Sequence, residues 1–501
     1  MDLPVASQGI NGPHGRLGPP EILPSEIDSM DQEIGTGTFG KVVRGKCRGK
    51  DVAIKVLHKP INDRKTLIAF KQEVEIMSTI FHPNICLFMG ACTQPGNFFI
   101  VSEFLTGGNV EKLLHDPTVK LSLYRRMCMA KDAALGMNWL HCSKPSVIHR
   151  DLKTSNLLID ENGRVKLCDF GLSQLMNPGQ HLKDSESVKG TPLWMAPEVM
   201  QFRAFNEKSD IYSFGIVLWE LLTRRQPFVH HSDYKTFRFA VCKRDERPLI
   251  SPSVEPRLKS LIERCWDPNP EKRPSTVEIL KELDIILINV AIKDSYGRIF
   301  WTQNFRNSEQ FSDAPWNIFA LELLRFLTLP IPDPSDHENQ TVLNLKCLKA
   351  LLLKKNRSSD CVNIQDFGRI LSLFGPIACP DENNRTFLDR IYHTLRNEWF
   401  HGDIDKDSAE ALLSGKLPET FLVRFSSVEG FFTISYITTD NIIKHQRVCR
   451  KSPTQYVIGN REYESLSALV HGEGLRYPCP GNVYQRIFKE KPQFGYVELT
   501  K

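Results

Sequence analysis

One ordered succession constrains this chain more than any other feature. Within residues 34–171 a glycine-rich turn, a strand-end lysine and two aspartates with an asparagine between them follow one another. The turn, 34-IGTGTFGKVVRG-45, holds Gly35, Gly37 and Gly40 ahead of Val42. Glycine lets backbone amides approach a phosphate closely, and Val42 offers an apolar cover for a base. Alone, that spacing fits a tight glycine-rich hairpin equally well. Fifteen residues beyond Gly40, 52-VAIK-55 reads as a strand ending in Lys55, a cation for α- and β-phosphates. By itself a strand-end lysine is more often just solvated. Glu73, in 70-FKQEVEIM-77, falls on the inward side of a helix and suits Lys55 as an orienting partner.

Next comes 149-HRDLKTSN-156, in which Asp151 can accept a hydroxyl proton and Asn156, five residues on, can ligate Mg²⁺. Eighteen residues after Asp151, 169-DFG-171 offers Asp169 as a second hard oxygen ligand beside a glycine. Further on, 190-GTPLWMAPE-198 and 265-CWDPNPEKRPS-275 supply Glu198 and Arg273, an expected buried ion pair.

Each motif is ambiguous alone, but in this order they resemble a complete eukaryotic protein kinase domain over residues 27–289. The resemblance implies a bilobal fold that uses ATP and Mg²⁺. In it Lys55 with Glu73 clamps the nucleotide, Asn156 and Asp169 hold the metal, and Asp151 orients the acceptor hydroxyl. Ile34, Gly35, Gly37, Gly40, Val42 and Ala53 would line the nucleotide. Ser102 would be the gatekeeper, and Glu103 to Leu105 the hinge that reads adenine. Lys153 would reach the γ-phosphate and the Thr191 hydroxyl, the pairing that serine/threonine kinases carry. The stretches 82-HPNICLFMGA-91 and 210-DIYSFGIVLWE-220 resemble the tyrosine-kinase-like group. In 182-LKDSESVKG-190, Ser185 and Ser187 are expected as regulatory sites whose phosphate pairs with Arg150; ordinary loop serines is the competing reading.

A second anion site is written into 419-ETFLVRFSSVEGFFTISY-436. Arg424 sits in an apolar run that reads as buried strand, and an unpaired buried guanidinium is costly. Successive strand side chains point to opposite faces, so Leu422, Arg424 and Ser426 share one face. The surrounding 399-WFHGDIDKDSAEALLSGKLPETFLVRF-425 resembles an SH2 domain, an antiparallel sheet flanked by two helices. That resemblance makes Arg424 the bidentate ligand of a phosphotyrosine, assisted by Ser426 and by His445, with Arg447 two residues on. Lys406 stands where the family commonly has a second phosphate-binding arginine. An internal salt bridge is the competing reading for Arg424.

A kinase followed by an SH2 domain resembles the amoebal SH2-bearing dual-specificity kinases, the Shk family. The expected fold class is multidomain α+β: kinase fold, small helical connector, SH2 domain. The expected boundaries are a flexible tail over 1–26, the kinase over 27–289, linker and connector over 290–396, SH2 over 397–491, and a tail over 492–501. Within the connector, 293–313 reads as an aperiodic linker. Four amphipathic segments follow, around Trp316–Leu327, 341–354, Phe367–Phe374 and Phe387–Leu395. An EF-hand at 333–340 is excluded, because the sixth-position glycine and the later glutamate are missing.

Composition adds only bounds. Hydrophobic content of 41% and charged content of 25% are ordinary for a globular chain. Thirteen scattered cysteines without metal spacing read as reduced thiols. A formal charge of +5 over 501 residues argues neither for nor against nucleic acid, and no motif calls for it. The best apolar run, 284-DIILINVAI-292, is too short to span a bilayer, no secretory signal opens the chain, and Asp2 replaces the glycine that myristoylation needs. The expected setting is cytoplasmic, with membrane recruitment only through phosphotyrosine-bearing partners. The expected partners are protein substrates and phosphotyrosine proteins, Tyr496 near the C-terminus being one internal candidate ligand. The alternative is an SH2-directed scaffold whose kinase domain binds nucleotide but turns over weakly.

Overall fold

Alternating apolar residues pair the first strands into a sheet before any helix is needed. The computed structural model describes residues 20–36, 40–57, 64–177, 179–184, 190–306, 312–333, 335–336, 338–353, 360–378, 385–452 and 455–489. Gly37, Ser185, Ser187 and Tyr496 lie outside the described residues. The chain divides into two compact units, Met1–Ile286 and Leu287–Lys501.

In the first unit, β1 (Ile27–Thr36), β2 (Gly40–Cys47), β3 (Lys50–Leu57), β4 (Phe88–Cys92) and β5 (Phe99–Glu103) form an antiparallel sheet in the order β1-β2-β3-β5-β4. Helix α1 (Arg64–Thr79) follows β3. Val43, Val52, Ile54, Phe99 and Val101 share a core with Ile22, which is 2% exposed. Ile22 lies within the 1–26 segment expected as flexible tail, yet residues from Pro20 on are built into this sheet. Ile22 N donates to Ala91 O (2.9 Å) and Ala91 N to Pro20 O (3.0 Å). A side chain at Gly90 would meet Ile22 at 2.7 Å, so glycine there admits the segment.

The helical part follows with α2 (Val110–His115), α3 (Leu123–Cys142) and four short strands, β6 (Ser146–Ile148), β7 (Leu157–Ile159), β8 (Val165–Leu167) and β9 (Gln174–Met176). Strand β6 pairs with β9 and β7 with β8, which sets residues 149–156 and 168–173 as facing loops. Then come α4 (Pro197–Met200), α5 (Lys208–Thr223), α6 (Tyr234–Lys243), α7 (Pro256–Cys265) and α8 (Thr276–Ala291). Helix α5 is buried almost all round, as expected of a helix apolar on every face.

The second unit joins two segments read above as separate. The stretch 293–313, expected to be linker, contains α9 (Ser295–Phe305), with Phe300 and Trp301 wholly buried. Its Phe300 meets Phe319 and Phe367 edge-on at 5.5 and 5.7 Å. The buried stripe Gly297, Phe300, Trp301 and Phe305 has helical spacing, but exposed Tyr296 and Ile299 mask it in the sequence. The four expected helices follow: α10 (Trp316–Phe326) after β10 (Asp313–Pro315), then α11 (Gln340–Leu352), and α12 (Ile364–Phe374) after β11 (Cys361–Asn363), then α13 (Phe387–Leu395). Strands β10 and β11 pair antiparallel.

Beyond them, β12 (Phe400–Gly402), α14 (Lys406–Leu413), β13 (Thr420–Phe425), β14 (Phe431–Ile437), β15 (Ile443–Ser452), β16 (Gln455–Ile458), β17 (Arg461–Tyr463), α15 (Leu466–Gly472) and β18 (Tyr477–Pro478) make a sheet in order β12 to β17, with β18 on β13. The β13–β14–β15–β16–β17 run is antiparallel and two helices flank it, as expected. Connector and sheet share a packed boundary. Phe374 meets Phe425 and Phe432 edge-on at 6.4 and 5.7 Å, and the Arg369 guanidinium lies 5.1 Å over the Phe425 ring.

Candidate functional site

The phosphate-chemistry residues converge where β3, α1 and the two facing loops meet. Lys55 on β3 stands opposite Val42 and Ile100 in the sheet register. Its Nζ is 2.7 Å from Glu73 Oε1 on α1 and 2.9 Å from Asp169 Oδ1. Burial pulls the ammonium pKa down, but Glu73 and Asp169 outweigh it and hold it above the ordinary lysine value. Burial likewise raises Glu73, against the pull of Lys55. Asp169 stays below the usual carboxylate range because Lys55 overcomes its burial. A side chain on Gly171 would come within 3.1 Å of Lys55 Nζ, so the third residue of 169-DFG-171 clears the cation.

Asp151 is the hub of the second cluster. Its Oδ1 accepts from Thr191 Oγ1 (2.7 Å) and Thr191 N (3.0 Å). Its Oδ2 accepts from Lys153 Nζ (2.8 Å) and Asn156 Nδ2 (3.1 Å). Lys153 Nζ also donates to Thr191 Oγ1 at 2.6 Å, the pairing expected from the sequence. Two residues here, Arg150 and Asp169, hold positive φ, 69° and 63° respectively. For non-glycine residues that conformation costs on the order of 1–3 kcal/mol and persists only when the surroundings enforce it.

At Arg150 the constraint comes from a residue 60 positions further along the chain. Asp210, 1% exposed at the start of α5, accepts from Arg150 N and His149 N at 2.8 Å each, and its Oδ2 lies 2.9 Å from His141 Nε2. A buried aspartate at the start of a largely apolar helix was the available signal. Arg150 itself pairs with Asp184, both side chains buried. Glu198 and Arg273 form the expected buried pair, bidentate at 2.6 and 2.9 Å.

On the nucleotide side, Gly40 is packed so closely that a Cβ would meet Val56 O at 2.3 Å, whereas around Gly35 space is open. Ile34 is exposed, Val42 and Ala53 are half-buried, and Leu105 is buried. Ser102 lies on β5 opposite Ala53. The Glu103 side chain accepts from Lys166 Nζ (2.7 Å) and Leu87 N (2.7 Å), which fixes the segment leading to Leu105.

The second site lies in the other unit. Arg424, 7% exposed on β13, makes no ion pair among the described residues. Its Nε donates to Ser435 Oγ (3.3 Å) and its NH1 group to Phe425 O (3.3 Å). Ser435 Oγ is 2.9 Å from His445 Nδ1, and His445 Nε2 is 3.0 Å from Glu410 Oε1. A carboxylate can only accept, so Nε2 carries the proton, and in the neutral ring Nδ1 accepts from Ser435. Lys406 Nζ sits 3.5 Å from the same Glu410 oxygen. Ser426 accepts from Val428 N (3.2 Å) in the loop after β13. Ser435 and Glu410 were not legible in the sequence, because nothing local marks a strand serine as the partner of Arg424 or a helix glutamate as the partner of His445. The expected competing salt bridge to Arg424 is not found among the described residues.

Two sites thus define the class: a catalytic domain built for phosphoryl transfer, and a phosphate-reading module with a buried, charge-unpaired arginine. Comparisons agree. Residues 29–283 match the protein tyrosine and serine/threonine kinase family, and residues 399–472 match the SH2 domain. The dual specificity protein kinase shkC of Dictyostelium discoideum is 49% identical over 93% of this chain and 92% of its own length. The dual specificity protein kinase shkA of the same organism is 45% identical over 96% and 93%. The serine/threonine-protein kinase CTR1 of Arabidopsis thaliana is 44% identical over 50% of this chain and 31% of its own. The chain belongs to the Shk family of SH2-bearing protein kinases. It is a protein kinase, with protein substrates and phosphotyrosine-bearing partners as the family implies, and the kinase family as a whole uses ATP and Mg²⁺. No helix among the described residues is long and apolar enough to cross a membrane.

Proposed function

We propose that this chain transfers the γ-phosphate of ATP to serine, threonine and tyrosine hydroxyls of proteins, under direction of an SH2 domain that binds phosphotyrosine. The Asp151 hub carries the reading. One carboxylate engages Lys153, Thr191 and Asn156 at once, so a hydroxyl arriving there meets a fixed acceptor and a fixed cation. Asp169 and Asn156 offer the hard oxygen donors that suit Mg²⁺ beside phosphates. The metal would neutralise phosphate charge, while Lys55, oriented by Glu73, would hold the α- and β-phosphates. Ile34, Gly35, Gly37, Gly40, Val42 and Ala53 would cover the nucleotide, with Ser102, Glu103 and Leu105 along its adenine edge.

The Lys153–Thr191 contact favours serine and threonine acceptors, while the names of the near-full-length relatives support tyrosine as well. The scaffold alternative is not favoured by those relatives. For the SH2 site, Arg424 is the anchor, with Ser426, Lys406 and His445 as secondary contacts to the phosphate.

Phosphoamino-acid analysis tests the reading. The purified chain is incubated with Mg²⁺-ATP and mixed protein substrates, with Asp151→Asn alongside. Label on all three hydroxyl types, lost in the variant, is expected. Label on serine and threonine alone would remove the tyrosine activity, and label undiminished in Asp151→Asn would overturn the catalytic assignment.

A further inference from the structure

Away from both sites, the chain entering α6 and the chain leaving it come together. His230 and His231 precede the helix and Glu246 follows it. His230 Nε2 and His231 Nε2 lie 2.7 and 2.9 Å from the same atom, Glu246 Oε1. One donor atom from each residue falls within 4.8 Å of the others.

Two of the three are held from behind. The His231 backbone N–H donates to Phe228 O (3.1 Å), and its ring packs on Phe228 and Phe237 at 6.4 and 5.8 Å. Glu246 N donates to Ala240 O (3.1 Å), and Glu246 O accepts from the Arg247 guanidinium (2.8 Å). His230, 64% exposed, closes the set from the solvent side.

We propose that His230, His231 and Glu246 form a binding site for a zinc-class divalent transition-metal ion, ligated by the two Nε2 atoms and a Glu246 carboxylate oxygen. Two imidazoles and one carboxylate are the donor set of an open, three-ligand zinc site, with water in the fourth position. Mg²⁺ wants oxygen ligands and an octahedron, so the metal that serves nucleotide chemistry does not compete here. With metal–ligand bonds of about 2.0–2.1 Å, tetrahedral donors stand about 3.3 Å apart. The two Nε2–Oε1 contacts, at 2.7 and 2.9 Å, therefore need to open by about half an ångström, while the two imidazole donors already lie within 4.8 Å of each other. Bound metal ties together the two segments that bracket α6 and stabilises that part of the fold by mass action.

The test titrates Zn²⁺ into the full-length chain against a chromophoric chelator, with millimolar Mg²⁺ present. Wild type is compared with Glu246→Gln and His231→Ala, and with His230→Ala should the packed His231 position not tolerate alanine. The expected result is one equivalent bound with micromolar affinity in wild type, weakened at least about tenfold in each variant. A Zn²⁺-dependent rise in melting temperature should likewise be present in wild type and absent in the variants. The same equivalents and affinity in all proteins would overturn the site. So would saturation of wild type only at millimolar Zn²⁺, which would leave His230, His231 and Glu246 as a hydrogen-bonded cluster alone.

Discussion

Glu410 Oε1 lies 3.0 Å from His445 Nε2 and 3.5 Å from Lys406 Nζ, so a carboxylate stands among the cations grouped around Arg424. The His445 hydrogen bond holds this carboxyl below the usual glutamate range, and Lys406 adds to that, so it stays ionised at neutral pH. An incoming phosphate therefore meets a negative charge that already uses two of the cations it would contact. Glu410→Gln keeps the shape and removes the charge. It should tighten phosphotyrosine-peptide binding by about three- to tenfold, an effect of the size expected for an exposed charge. Arg424→Lys, which replaces a fork by a point charge, should weaken it far more. Fluorescence anisotropy with phosphorylated and unphosphorylated peptide measures both. Weaker binding by Glu410→Gln would mean that orienting His445 outweighs repulsion.

Arg150 is already paired with Asp184, in a buried contact beside the catalytic loop. A carboxylate thus occupies the guanidinium that an activation-loop phosphate would otherwise meet. Removing one partner of a buried ion pair strands the other, at about 3–5 kcal/mol. Asp184→Ala should lower kcat by roughly tenfold or more, because Arg150 adjoins Asp151 in sequence. The double variant Ser185→Ala, Ser187→Ala should be mild by comparison. Steady-state kinetics on one peptide decides it. An equal fall in both proteins would show that a loop phosphate, not Asp184, is what Arg150 requires.

Glu220 is wholly buried in α5, where it accepts from Trp194 Nε1 (2.6 Å) and Thr154 Oγ1 (3.1 Å). Burial pushes its carboxyl up to about 8, against the pull of those hydrogen bonds. A raised folded-state pKa favours the fold while the group is protonated. That contribution is complete below the unfolded value of 4.5 and is lost as pH rises towards 8. The shift corresponds to roughly 3–5 kcal/mol across this window. Glu220→Gln should remove the slope, leaving the variant relatively more stable at pH 8.5 than at pH 5. Urea midpoints at the two pH values test this, and parallel curves for both proteins would show that Glu220 is not the titrating group.

What was legible in the sequence was what is local. Lys55, Asp151, Asn156, Asp169 and Arg424 announce themselves through spacing, and their partners Glu73 and Thr191 follow from the motifs. Contacts made by unremarkable residues from distant segments were not legible. Asp210 holds Arg150 from 60 residues away, and Ser435 and Glu410 reach Arg424 and His445 from a neighbouring strand and a helix. Ile22 was lost in a Pro- and Gly-rich stretch because its partners, the backbone of Ala91 and the core of the sheet, come from distant segments. Helix α9 reads as linker from sequence because its buried stripe, Gly297, Phe300, Trp301 and Phe305, is blurred by apolar Tyr296 and Ile299 on the exposed side.

The same lesson bears on where the SH2 part ends. Phe374 closes α12 and is 1% exposed, with its ring against Phe425 and Phe432 of the SH2 sheet. Phe425 follows Arg424 directly, so the connector packs against the strand that carries Arg424. Arg450 on β15 also donates to Gly375 O, tying the sheet to the residue after α12. A buried Phe→Ala change in such a setting costs about 3–5 kcal/mol. Phe374→Ala should therefore lower the melting temperature of the second unit and weaken phosphopeptide binding, although Phe374 touches no phosphate. A fragment spanning 287–489 should bind phosphotyrosine peptide with a sharper unfolding transition than one spanning 397–489. Identical stability and affinity in the two fragments would show that the SH2 sheet stands without its helical support.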